Sequence, residues 1–168
     1  MFSGVGKSTF ARKLGERNGI GVTHLDAIYW KPGWVEAPTD EFRGAQQENV
    51  QREKWIIEGN YSSSIDIREP LADTVIYLEL PLYVCLYRVV KRRIQFHGKT
   101  RNDIGKDCPE KIDWTFVKFI LTTYKRRKKT MFHRLQHYAN EGKTVHVLRN
   151  EKQIAGFLNQ CTLKRNRR

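Results

Sequence analysis

The chain has 168 residues, a length that suits one domain with a sizeable core. Apolar residues make up 39% and charged residues 29%, which excludes a disordered chain, and charge interrupts every apolar run before it could span a bilayer. The formal charge of +13 calls for an anionic partner: nucleotide phosphates, nucleic acid or a membrane surface. Cys85, Cys108 and Cys161 are odd in number and form no CxxC pair, which suits reduced thiols in a cytoplasm better than disulfides or a zinc site. No signal peptide is expected, so the expected setting is cytoplasmic, with no membrane partner.

The chain opens on Ser3-Gly4-Val5-Gly6-Lys7-Ser8-Thr9, which reads as a phosphate-binding loop. Its glycines let backbone N–H groups converge on nucleotide phosphates, Lys7 adds a cation, and the Ser8 hydroxyl is placed to ligate Mg²⁺. Thr9 to Arg17 reads as a helix whose positive end points at the same phosphates. The full pattern wants a glycine where Met1 stands and a strand ahead of the loop, yet only Met1 and Phe2 precede Ser3. The first strand is therefore expected to be missing from this chain.

Gly21 to Leu25 reads as a short strand ending at Asp26, and Ala27 to Pro38, with two prolines and a glycine, as a loop. Thr39 is placed to cap the next helix, which carries Asp40 and Glu41 in its first turn. Trp55 to Glu58 is a compact apolar strand stopped by Gly59-Asn60, and Thr74 to Leu80 is the clearest strand, stopped by Pro81. Leu82 to Phe96 reads as helix and Gly98 to Pro109 as a polar, loop-like segment, the presumed lid. Asp113 to Asn140 holds Val117, Ile120, Leu121, Tyr124, Met131, Leu135 and Tyr138 at a helical period. Thr144 to Leu148 is a last strand, Glu151 to Leu158 a last helix, and residues 162–168 a basic tail.

Strands alternating with helices predict an α/β fold, with a parallel sheet covered by helices on both faces. Such sheets bind ligands at the carboxyl ends of their strands, where Asp26, Glu58 and the glycine loop all fall.

Three stretches carry a resemblance: Gly4 to Leu14, His24-Leu25-Asp26-Ala27-Ile28-Tyr29-Trp30-Lys31-Pro32-Gly33-Trp34, and Ile57-Glu58-Gly59-Asn60-Tyr61. They are similar to P-loop kinases of the adenylate-kinase-like type, and more narrowly resemble the DNA topology modulation, or FlaR-related, proteins. The resemblance implies a single P-loop kinase domain over residues 1–168, with a short mobile lid near 98–112. It implies ATP and Mg²⁺ as cofactors and transfer of the γ-phosphoryl group to a small-molecule acceptor. ATP over GTP also follows from it, since no Asn-Lys-x-Asp motif is present. It places the nucleotide on Ser3, Gly4, Val5, Gly6, Lys7, Ser8 and Thr9, with Arg88 stacking on adenine and Arg92 reaching the phosphates.

By the same resemblance Asp26 orients or deprotonates the acceptor hydroxyl; an Asx turn is its alternative. Glu58 joins Ser8 on the metal side, with Lys7, Arg92 and Arg101 as catalytic cations. Nucleoside monophosphate kinases carry Asp-Gly at this strand end and then an arginine for the acceptor phosphate. This chain has Glu58-Gly59 followed by Asn60-Tyr61-Ser62. Arg68 is a substitute for that arginine, or Arg43 and Arg68 are surface charges. Tyr29, Trp30, Trp34 and Tyr61 stack on an acceptor or anchor the loop to the core. A solvated basic face is the alternative for Arg88 and Arg92, and Lys99 and Lys106 share the lid with Arg101.

Lys125 to Lys129 encircle a helix without interleaved aromatics, which reads as a solvated face. A nucleotide-responsive nucleic-acid-binding protein, using that cluster as its footprint, is the rival function. The histidines show no metal-ligand spacing.

Overall fold

The computed structural model describes residues 4–96, 104–105, 107–108 and 114–165, with side chains undescribed at 114–117, 119–120 and 162–165. In chain order the elements are α1 (Lys7–Asn18), β1 (Val22–His24), α2 (Leu25–Tyr29), β2 (Trp30–Lys31), β3 (Val35–Glu36), α3 (Thr39–Val50), β4 (Ile56–Glu58), α4 (Ile65–Arg68), β5 (Thr74–Leu78), α5 (Leu82–Gln95), α6 (Trp114–Asn140), β6 (Thr144–Leu148) and α7 (Glu151–Arg165). A single 3-10 turn, Ser62–Ser64, precedes α4. The chain is thus mixed α/β. Its parallel pairing is confined to two short ladders, β1 with β4 and β5 with β6. These residues gather into two compact units. One holds residues 4–6, Ala72–Gln95 and 114–154; the other holds Lys7–Leu71, the described residues between 96 and 108, and 155–165.

In the Lys7–Leu71 unit, α1 buries Phe10, Ala11, Leu14 and Gly15. The helix ends in a glycine-dependent cap: Gly19 takes φ 68°, and the Ile20 amide donates back to the Gly15 carbonyl at 3.0 Å. Gly15 itself has no room for a side chain, since a Cβ there would lie 2.5 Å from Val22 Cγ2. That close approach seats α1 against β1. The parallel register then sets Val22 beside Ile56, Thr23 beside Ile57 and His24 beside Glu58.

Two expectations change here. The segment after Asp26 is not a plain loop but α2 followed by the β2–β3 hairpin, Trp30 opposite Glu36. Leu25, Ile28 and Tyr29 fall at helical spacing and pack with Ala37, Phe42, Ile57 and Tyr61, so the core draws the segment into a turn of helix. Pro32-Gly33 then turns the chain, with φ 77° at Gly33 and 67° at Trp34. Thr39 is also not the cap of α3. Pro38 occupies that position without a side-chain hydrogen bond, and Thr39 is the first helical residue. Phe42, Gln46 and Val50 point the helix inward at intervals of four.

In the other unit, β5 and β6 run parallel over five residues, from Thr74 beside Thr144 to Leu78 beside Leu148. A parallel pair needs a long crossover, which α5 and α6 belong to. α6 covers one face of this ladder: Leu135, Tyr138 and Met131 pack on Tyr77, Val75, Val145 and Val147. The helical period therefore reads correctly over its second half, while Leu121 is 44% exposed. Cys85 and Val89, both fully buried, are the inward residues of α5.

The Tyr77 hydroxyl is buried without a hydrogen-bond partner. Burial, and secondly the Glu79 charge, push its pKa up to about 12 from 10.0. A raised pKa contributes stability that is complete below the unfolded value and is lost as pH rises through the folded one. Tyr77→Phe removes a buried group that has no partner, so it should not destabilise the protein at pH 7. It should also shrink the loss of stability between about pH 10 and 12 relative to wild type, as read by urea melts across that range.

Candidate functional site

A nearly buried charged cluster lies where α1, β1 and β4 meet. Glu58 ends β4, and its side chain is only 10% exposed. His24, its neighbour across the parallel ladder, approaches Glu58 Oε2 with Nδ1 at 3.1 Å. Lys7, in the first turn of α1, lies 3.9 Å from Oε1, and the Ser8 hydroxyl donates to the same carboxylate. Burial works to raise the Glu58 pKa. The His24 hydrogen bond, the Lys7 charge and the Ser8 hydroxyl together outweigh it and hold the carboxyl below its usual range. Glu58 is therefore an ionised, acceptor-only group directly beside the lysine and serine of the glycine loop. Lys7, Ser8 and Glu58 are brought together from positions fifty residues apart, as the sequence implies. The part of His24 is not legible from sequence. Only the strand register that seats it beside Glu58 reveals it.

Gly59 follows Glu58 with φ 153°, and a Cβ there would lie 2.5 Å from Leu25 Cβ. Glycine at this position lets β4 exit against the start of α2. Asp26 consequently sits in the first turn of α2 rather than at a strand end. The Tyr61 hydroxyl donates to Asp26 Oδ1 at 2.8 Å, and burial first, then the Asp26 charge, drives the Tyr61 pKa far above its ordinary value. Tyr61 acts as a fixed neutral donor to this carboxylate.

The aromatic residues divide into two groups. Tyr29 and Tyr61 stack with Phe42 at ring separations of 5.0 Å and 4.9 Å and with each other at 4.6 Å, so both anchor the core. Trp30 and Trp34 meet edge to face at 5.3 Å on the hairpin and are half-buried. Arg68 is held by the scaffold, whereas Arg43 lies at the surface in an ion pair. Arg43 binds Asp66 with both terminal nitrogens and also donates to the Ser63 carbonyl. Arg68 donates to Gln46 Oε1 at 2.8 Å, to the Tyr61 carbonyl at 2.9 Å and to Ser64.

The glycines of the loop belong to the other unit. Gly4 and Gly6 take φ 83° and 86°, where only glycine is unstrained, and a Cβ on Gly4 would lie 2.3 Å from the Cys85 carbonyl oxygen. Val5 between them is 1% exposed. Arg88 reaches this turn from α5: Nη1 donates to the Val5 carbonyl at 3.1 Å, and Nη2 pairs with Glu151. Arg88 thus braces the loop. Arg92 is half-buried in the last turn of α5, and Thr9 is exposed on α1. Ser3, Lys99, Arg101 and Lys106 lie outside the described residues.

Of the basic run on α6, Lys128 pairs with Glu79, Arg127 is half-buried, and Lys125, Arg126 and Lys129 are exposed. Among the described residues no group of three or more His, Cys, Asp or Glu is placed to hold a metal by itself. No described helix is long and apolar enough to cross a membrane, and Cys85, Cys108 and Cys161 form no disulfide with one another. No protein-family model matches the sequence, and no curated protein matches it.

Removing the His24 donor should release Glu58. In His24→Ala the Glu58 carboxyl is expected to titrate at higher pH, followed by carbon-detected NMR. A depressed carboxyl pKa contributes stability that is present above the unfolded pKa and lost as pH falls through the folded one. The variant should therefore be less stable by about 1 kcal/mol at pH 7 and converge on wild type in acid.

Proposed function

We propose that this protein is a P-loop phosphotransferase that moves the γ-phosphoryl group of Mg-ATP to the hydroxyl of a small molecule. The observation that carries the reading is the Lys7–Ser8–Glu58 cluster at the start of α1, directly after two glycines in the left-handed region. A glycine turn that leads into a helix N-terminus presents backbone N–H groups and a partial positive charge to phosphate. The lysine has an anionic neighbour already, and nucleotide phosphates extend that environment.

The residues also suit Mg²⁺. This ion takes one or two protein oxygens and completes its shell with water and phosphate oxygens, so a three-carboxylate cage is not required. Ser8 and the ionised Glu58 are the groups that would hold it. When bound, Mg²⁺ supplies charge neutralisation on the β- and γ-phosphates.

In the proposed reaction Lys7 neutralises charge on the transferring group, while Asp26 takes the proton of the acceptor hydroxyl. A bond forms between that oxygen and the γ-phosphorus as the bond from phosphorus to the β–γ bridging oxygen breaks. The electron pair leaves on ADP. Tyr61 donates to Asp26 Oδ1 and holds the carboxylate in one orientation. His24 fixes the tilt of Glu58. This reading agrees with the resemblance noted in the sequence, and it places the finer P-loop identity on the cluster rather than on the short sheets.

Two measurements test it. A ligand that binds only the folded state stabilises it by about 2.7 kcal/mol at a hundredfold excess over its Kd. Mg-ATP should raise the melting temperature of wild type and leave that of Lys7→Ala unchanged; a shift that persists in the variant refutes the assignment. Asp26→Asn should lower turnover by at least about a hundredfold with ATP affinity unaltered, because the carboxylate acts mainly in the transition state. Equal loss of ATP binding would make Asp26 a metal-side residue instead.

A further inference from the structure

We propose that the cavity between α6 and the β5–β6 ladder is a binding site for a small carboxylic acid with one apolar ring or short branched chain. The proposal stands apart from the phosphotransferase reading and uses none of its residues. Every residue that forms the site belongs to one compact unit, the one that holds Ala72–Gln95 and 114–154.

The ladder builds the floor. Side chains alternate along a strand, so the register that sets Tyr77 beside Val147 also sets Glu79 beside Arg149 on the same face. The Glu79 amide donates to the Leu148 carbonyl at 2.9 Å, which carries the pairing to this last step. Lys128, Phe132, Leu135 and Ala139 recur at intervals of four, three and four along α6 and form one wall. The cavity that these residues line measures about 210 Å³. Drug-sized sites begin at roughly 300 Å³, so a single ring or a short branched chain fills this one.

The inner surface, from Tyr77, Leu135 and Val147, is apolar. Phe132 is 57% exposed on the wall, and a ring entering the cavity removes that apolar surface from water. The end beyond the strands is charged. Glu79 Oε1 pairs with Lys128 Nζ at 2.5 Å, and Oε2 faces Arg149 Nε at 3.6 Å. Both carboxylate oxygens are engaged, whereas donors remain to spare. Among the described residues, the Arg149 terminal nitrogens meet no acceptor, and Lys128 has three N–H groups for one contact. Two cations around one anion leave one positive charge in excess at the mouth. A carboxylate matches that excess, because the planar guanidinium fork takes both its oxygens. A cationic ligand would meet the excess charge with the acceptor already used, and a neutral one would leave the fork idle.

Titration of the isotope-labelled full chain with phenylacetate, followed by amide NMR, tests the proposal. The amides of Ala139, Val147 and Arg149 should shift and saturate, with a Kd of about 1 mM or tighter for a ligand of this size. Phenylacetamide, the same shape without the charge, should bind about tenfold more weakly. Phenylacetate should lose about the same factor in Arg149→Gln, where Glu79 keeps Lys128 as its partner. Ala139→Leu fills the cavity from its exposed wall and should abolish binding, while the chain still melts as cooperatively as wild type. Absence of a saturable shift at these amides, equal affinity for phenylacetate and phenylacetamide, or undiminished binding by folded Ala139→Leu overturns the proposal.

Discussion

A single, nearly buried carboxylate ties together the residues of the proposed site. Glu58 terminates a strand of three residues and would be destabilising there unpaired, since a carboxylate removed from water is tolerated only when charge and hydrogen bonds replace its hydration. His24 from the neighbouring strand, and Lys7 and Ser8 from the helix packed above, supply that replacement. The same contacts join α1, β1 and β4, so the group that requires partners also fixes the position of Lys7, the cation to which the proposed function assigns phosphate binding. Stability and the proposed function share these atoms.

The Asp26–Tyr61 pair, the proposed acceptor side, is built by an analogous logic with weaker charges. Gly59 allows β4 to leave against Leu25, and that close approach brings Tyr61 within hydrogen-bonding distance of Asp26. The buried phenol remains neutral and serves as a permanent donor, whereas the carboxylate is the group able to exchange a proton. Arg43 and Arg68 close the turn after β4 onto α3. Arg68 satisfies the buried side chains of Gln46 and Ser64, whereas Arg43 closes a surface ion pair with Asp66.

In the other unit the glycine loop is held from below by α5. Gly4 lies so near the Cys85 carbonyl that no side chain fits, and Arg88 grips the carbonyl of Val5 while pairing with Glu151. A guanidinium anchored at both ends restrains a turn whose residues would otherwise sample many conformations, and a restrained turn presents its N–H groups at lower entropic cost.

Much of this was legible in the amino-acid sequence. The glycine spacing and the lysine and serine that follow it set a tight glycine turn running into α1, whose local sterics and helix polarity need no distant residue. Period and terminators located α1, α5, the second half of α6, and strands β5 and β6 for the same reason. What lay beyond the sequence depends on contacts between remote segments. The loop expected after Asp26 became a helical turn and hairpin because Leu25 and Tyr29 found Phe42 and Tyr61 to pack against. The cap expected at Thr39 moved to Pro38, because Thr39 itself takes helical conformation. His24 acquired its place beside Glu58 from a strand register, and Arg68 its structural duty from Gln46, twenty-two residues away. Propensity and periodicity act over a few residues, so they set the glycine turn and the start of α1. Burial and pairing act across the whole chain, and only they decide which charged groups are joined to one another.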